Sequence, residues 1–101
     1  MMNIKTVNKG KMTTVYLSGA IDIPGAENLK KALNDLTEDN PKEVCLDFKD
    51  VNFIGSSGIG KLLLFYKKFT TQGGKVTISN LNKEISALFK AIKLDKLFKI
   101  Q

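Results

Sequence analysis

Asp47-Phe48-Lys49-Asp50-Val51-Asn52-Phe53-Ile54-Gly55-Ser56-Ser57-Gly58-Ile59-Gly60-Lys61-Leu62-Leu63-Leu64 decides how this chain is read. The stretch continues an apolar run, Val44-Cys45-Leu46-Asp47-Phe48, of the kind that fills a strand inside a parallel sheet. It ends by opening Ile59 to Phe69, which is apolar over much of a helical wheel and reads as the most buried helix. A short loop with two serines stands between them. Serine is a favoured N-cap because its hydroxyl accepts a hydrogen bond from an unpaired first-turn N–H. The same position suits a phosphate, since a helix start offers free N–H donors and the positive end of the dipole. A small modifiable hydroxyl is therefore expected at an anion-friendly point on the rim of a sheet.

Working outward, Ile4 to Val7 reads as a short edge strand and Asn8-Lys9-Gly10 as a turn. Met12 to Ser18 is rich in β-branched and aromatic residues, so the two segments predict a hairpin. Gly19-Ala20-Ile21-Asp22-Ile23-Pro24 breaks the second strand; Asp22 can cap a helix starting just after it, and Pro24 is tolerated in a first helical turn. Ala26, Leu29, Leu33 and Leu36 recur at helical spacing, which predicts an amphipathic helix ending near Thr37 to Pro41. Gln72-Gly73-Gly74 stops the second helix, and Val76-Thr77-Ile78 is a further strand. Asn82 is placed to cap a third helix carrying Ile85, Leu88, Phe89 and Ile92, and Leu97 to Ile100 reads as a last extended piece. The order implies a single α/β domain over residues 1–101, with a mostly parallel sheet of four to five strands, an antiparallel hairpin at its start, and helices packed against it.

Composition narrows the function classes. The chain has 101 residues, 43% of them hydrophobic, enough for one core. No apolar run approaches the roughly 18 residues that span a bilayer, and Met1-Met2-Asn3-Ile4-Lys5 lacks the apolar stretch of a secretory signal. The lone Cys45 lies in an apolar run and reads as a reduced, buried thiol, so a cytoplasmic location is expected. The net charge is +6, yet all 16 basic residues are lysine. Specific base readout leans on bidentate arginine, and no aromatic residues interleave with a basic cluster, so no nucleic-acid partner is expected. Histidine is absent, which removes Ser-His and Cys-His nucleophile pairs and any plausible zinc site.

Two constellations compete with the serine reading. Gly55-Ser56-Ser57-Gly58-Ile59-Gly60-Lys61 fits G-x-x-x-x-G-K, most of a phosphate-binding P-loop, but Leu62 stands where Ser or Thr would ligate magnesium. Asp47 and Asp50 are carboxylates close in sequence, one in a strand and one in the loop after it, with no complementary catalytic group. Both are weaker than the serine pair.

A strand ending in Asp47-Phe48, then a loop, Ser56-Ser57-Gly58-Ile59-Gly60 and an apolar helix resembles the STAS domains of bacterial anti-sigma factor antagonists. Leu17-Ser18-Gly19-Ala20-Ile21-Asp22, Gly73-Gly74, and the tail Leu94…Leu97-Phe98-Lys99-Ile100 are similar to that family too, in order and over nearly the whole chain. The resemblance implies a regulatory module without enzymatic activity or cofactor. It implies phosphorylation of Ser56 by a partner that is both anti-sigma factor and serine kinase, release of that partner on phosphorylation, and reversal by a serine phosphatase. Asp22, Gly55, Ser56, Ser57, Gly58 and Lys61 would form the partner-binding rim, on a protein that is monomeric when free and does not insert in a membrane. Two residues depart from the family pattern: Gly55 replaces an acidic residue, and Lys61 an apolar one. Lys61 is expected in the first turn of its helix, facing solvent, a phosphate on Ser56 or a partner carboxylate. The departure at Gly55 keeps a second role open, a non-phosphorylated STAS scaffold subunit of an ABC-type lipid transporter or stress-sensing complex. The glycine loop leaves a third, a small nucleotide-binding protein.

Overall fold

In the computed structural model, which describes residues 2–101, five strands form one sheet in sequential order. β1 (Asn3–Lys9) pairs antiparallel with β2 (Met12–Ile21), as the hairpin pattern predicts. β3 (Glu43–Ile54), β4 (Lys75–Ser79) and β5 (Lys99–Ile100) then add in parallel. The crossovers are α1 (Ile23–Glu38), α2 (Ser56–Thr71) and α3 (Lys83–Ala91), the last followed by one 3₁₀ turn at Leu94–Lys96.

Register explains how the core fills. Val15, Leu46 and Ile78 lie side by side across β2, β3 and β4, and all three are buried. They belong to one apolar cluster with Leu29 and Leu33 of α1, Leu62 and Phe69 of α2, and Phe89 of α3. Phe48 meets Phe89 edge-on at 6.0 Å, and Tyr66 meets Phe98 at 4.9 Å, so the third helix and the tail close the core. The alternate residues Tyr16 and Asp47 pair on the opposite, more exposed face.

The strands next to the serines are longer than the sequence suggests. β2 does not break at Gly19 but runs to Ile21, and β3 does not end at Phe48 but runs to Ile54, so Asp50 is in a strand rather than a loop. The cause is irregular register. From the pair Tyr16–Asp47 to the pair Ser18–Asp50, β3 advances three residues while β2 advances two, and another shift occurs before Ala20–Phe53. Such bulges interrupt the alternation that marks a strand in sequence. Asn82 caps α3 as expected, accepting from the Ile85 N–H at 2.8 Å, and its amide also donates to the Val51 carbonyl of the bulged segment. Ile92 falls just past α3 as its C-cap and is exposed, and the expectation of a buried Cys45 fails: it is half-buried, on the opposite face with its sulfur 3.6 Å from the Ser79 hydroxyl.

Candidate functional site at the start of α2

The ends of β2 and β3 come out together. Ile21 pairs with Ile54, and the Gly55 N–H donates to the Ile21 carbonyl at 3.0 Å. The starts of α1 and α2 are thereby set side by side at the carboxyl ends of adjacent parallel strands, where open α/β sheets bind their ligands. Each helix has glycine as its third residue, pressed against the sheet. A Cβ on Gly25 would stand 2.5 Å from the Ala20 carbonyl oxygen, and one on Gly58 would stand 2.5 Å from Ile21 Cγ2 and 3.0 Å from Ile54 Cγ1.

The two helix starts differ in their caps. Asp22 caps α1: its Oδ1 accepts from the Gly25 N–H at 2.9 Å, and Pro24 fits the first turn. The cap of α2 is Gly55, in extended conformation, with no side chain to offer. The expectation of a serine cap is therefore overturned, because the helix starts at Ser56 rather than Ile59 and both serines lie inside it. The N–H groups of Ser56, Ser57 and Gly58 precede the first intrahelical bonds, which begin with Ile59 donating to the Gly55 carbonyl. Ser56 is exposed, Ser57 half-buried and Gly58 buried.

Helical geometry places Ser56, Gly60 and Leu64 on one outward stripe, with Ser57 and Lys61 beside it. The P-loop reading fails on the same fact, since Ser56 to Ile59, which would have to form the phosphate-cradling loop, are already the first turn of a regular helix. Lys61 lies in the second turn, not the first, and its Nζ is 3.5 Å from Glu27 Oε1 of α1. In the free protein it therefore makes an ion pair between the two helices rather than reaching only into solvent. Ile23, Phe53 and Leu64 stand around the serines with 72, 51 and 65% of their surfaces exposed. Asp22, Phe53, Gly55 and both serines line one shallow cleft, and Ile23, Lys61, Leu64 and both serines line its neighbour.

Asp22, Gly55, Ser56, Ser57 and Lys61 are thus gathered on one rim, while Gly58 faces inward as a spacer. Sequence reasoning missed the apolar collar of Ile23, Phe53 and Leu64, and the Glu27 partner of Lys61. The signal was present: counting from Ser56 at i, i+4, i+8 reaches Leu64, once the helix is started at the second residue of the glycine loop. Chemically the rim is a hydroxyl at a helix start, set among three exposed apolar side chains.

A family model described as the STAS domain matches residues 3–101. The chain is 31% identical over 87 residues to an anti-sigma-B factor antagonist of Bacillus subtilis (strain 168), covering 85% of this chain and 78% of that relative. The crystal structure of an anti-sigma factor antagonist from Mycobacterium paratuberculosis matches with a TM-score of 0.89 at 24% identity, over 99% of this chain and 85% of that one. SpoIIAA, a Bacillus cell fate determinant solved in its phosphorylated form, matches with a TM-score of 0.75 at 16% identity, over 100% of this chain and 91% of that one. At these identities the two structural likenesses speak to the fold.

Proposed function

Because the chain belongs to the STAS domain family, we propose that it is an anti-sigma factor antagonist whose docking rim is centred on Ser56. Its role is regulatory: it binds an anti-sigma factor and so frees a sigma factor. The anti-sigma factor is also the serine kinase that phosphorylates Ser56, a serine phosphatase reverses the step, and the free antagonist is a cytoplasmic monomer. No helix among the described residues is long and apolar enough to cross a membrane.

The observation that carries this reading is the exposure of Ser56 in the first turn of a helix whose cap has no side chain, inside a collar of Ile23, Phe53 and Leu64. A partner that covers the collar must desolvate whatever Ser56 carries. A hydroxyl costs little there, because it keeps donor and acceptor options at the rim. A phosphoryl group brings about −1.5 to −2 charges into that contact. In the free protein those charges are tolerated, facing first-turn N–H groups and the positive end of α2. Against an apolar partner surface they are not, since an unpaired buried charge is strongly unfavourable. The switch arises from a difference between two environments of one group.

Incubation with the cognate anti-sigma kinase and ATP, followed by peptide mass spectrometry, tests the site. One phosphate on Ser56, absent from Ser56→Ala and retained in Ser57→Ala, is the expected result. Equal labelling of Ser56→Ala and the parent overturns the assignment.

A further inference from the structure

Beside the serine rim, and extending away from it, a groove of about 580 Å³ runs between α1 and α2. One wall is the α1 stripe Lys30, Leu33, Asn34, Thr37; the other is the α2 stripe Lys61, Leu64, Phe65, Lys68 with Lys67 beside it. Residues three and four apart on each helix share a face, so the two stripes confront one another along the groove. From Lys61 to Thr71, at about 1.5 Å per residue, the groove is about 15 Å long.

Its composition is uneven in a useful way. Its apolar lining is the buried Leu33 and Phe65 with the exposed Leu64, and its cations are Lys30, Lys61, Lys67 and Lys68. No carboxylate lines it, although the chain holds 10 acidic residues. Among the described residues the only ion pair is Lys61 with Glu27, which leaves Lys30, Lys67 and Lys68 with no carboxylate partner. Small-molecule sites typically enclose about 300–1,000 Å³ with mostly apolar walls and a few polar groups that fix orientation. This groove has a volume in that range, lies open to solvent along one side, and carries charged groups that are all cationic.

We propose that the α1–α2 groove binds a free single-chain fatty acid. The carboxylate sits at Lys30, with Lys61 beside it sharing its charge between the ligand and Glu27. The alkyl chain lies along Leu33, Leu64 and Phe65, and the methylene stems of Lys67 and Lys68 cover it while their ammonium groups stay in water. Each buried CH₂ adds favourable transfer energy, which favours a long chain over a short one. Lys61 and Leu64 border both the groove and the serine cleft, so an occupied groove puts a carboxylate next to the docking rim.

Titration of the isotope-labelled full chain with monomeric dodecanoate, followed by NMR shifts and calorimetry, tests the proposal. Saturable binding of one molecule is expected, with shifts confined to Leu33, Leu64, Phe65 and their neighbours. Lys30→Glu and Leu64→Asn, both at exposed positions, should each weaken it at least tenfold while the circular dichroism spectrum stays that of the parent. Dodecyltrimethylammonium, with the same chain and the opposite head charge, should not bind. Equal binding of the two amphiphiles, scattered shifts, or no saturation overturns the proposal. So does association with anionic phospholipid vesicles in the absence of any dodecanoate binding, which would assign the lysines to a membrane surface.

Discussion

The starts of α1 and α2 are near copies that end differently. Both come after parallel strands, both set glycine third, and both press that glycine on the end of β2. Yet α1 is closed by the Asp22 side chain, while α2 is headed by Gly55 and leaves its first-turn N–H groups without a side-chain acceptor. A capped helix start is finished chemistry. An open one next to an exposed serine is a place where negative charge meets free N–H donors, and this asymmetry separates the capped half of the rim from the half to which we assign the switch.

The comparison can be broken most severely at the shared glycine. Gly58→Val forces a branched side chain into Ile21 and Ile54, so denaturant unfolding should show a loss of about 2–3 kcal/mol. Gly60→Ala is the control: nothing lies within 4 Å of a Cβ there, and alanine should raise stability by about 0.5–1 kcal/mol. If both substitutions behave alike, close packing is not what Gly58 provides.

The collar comes next. Leu64→Asp and Ile23→Asp alter exposed side chains, so folding stability should change by less than about 0.5 kcal/mol. Binding to the cognate anti-sigma factor should weaken by about 1–2 kcal/mol each in calorimetry, as expected when charge enters a docking patch. Unchanged affinity in both would move the docking surface elsewhere.

The caps give the finest test. Asp22→Ala should cost about 1 kcal/mol of stability, the ordinary loss of a side-chain cap. Gly55→Asp should do the reverse on a smaller scale, adding a few tenths of a kcal/mol by capping α2. The backbone permits it: φ is −99° at Gly55, and a Cβ would meet the Phe53 ring at an ordinary 3.5 Å. Thermal unfolding of the two variants side by side reads this difference directly.

The order of elements was legible because each has a clean local signal. Leu29, Leu33 and Leu36 repeat at helical spacing, Asp22 and Asn82 precede their helices as caps, and Gly73 and Gly74 come after α2. The illegible parts lie where local rules are set by neighbours. The bulges in β3 disrupt alternation between Asp47 and Phe53, so the strand reads as a loop although β2 continues to pair with it. That error shortened α2 by a turn and made the serines look like caps. Asp22, Gly55, Ser56, Ser57 and Lys61 do lie together as expected, and their part in partner binding is a proposal. Leu64 was hidden by its apolar neighbours, Leu62 and Leu63 before it and Phe65 after it. In a helix that is apolar over much of its girth, pattern alone does not tell which leucine faces out.

The most direct measurement is the affinity of the cognate anti-sigma factor for this protein before and after stoichiometric phosphorylation of Ser56, determined by calorimetry at fixed salt. Weakening by at least about a hundredfold, close to 3 kcal/mol, is predicted for the phosphorylated form. Equal affinity of the two forms would contradict the account.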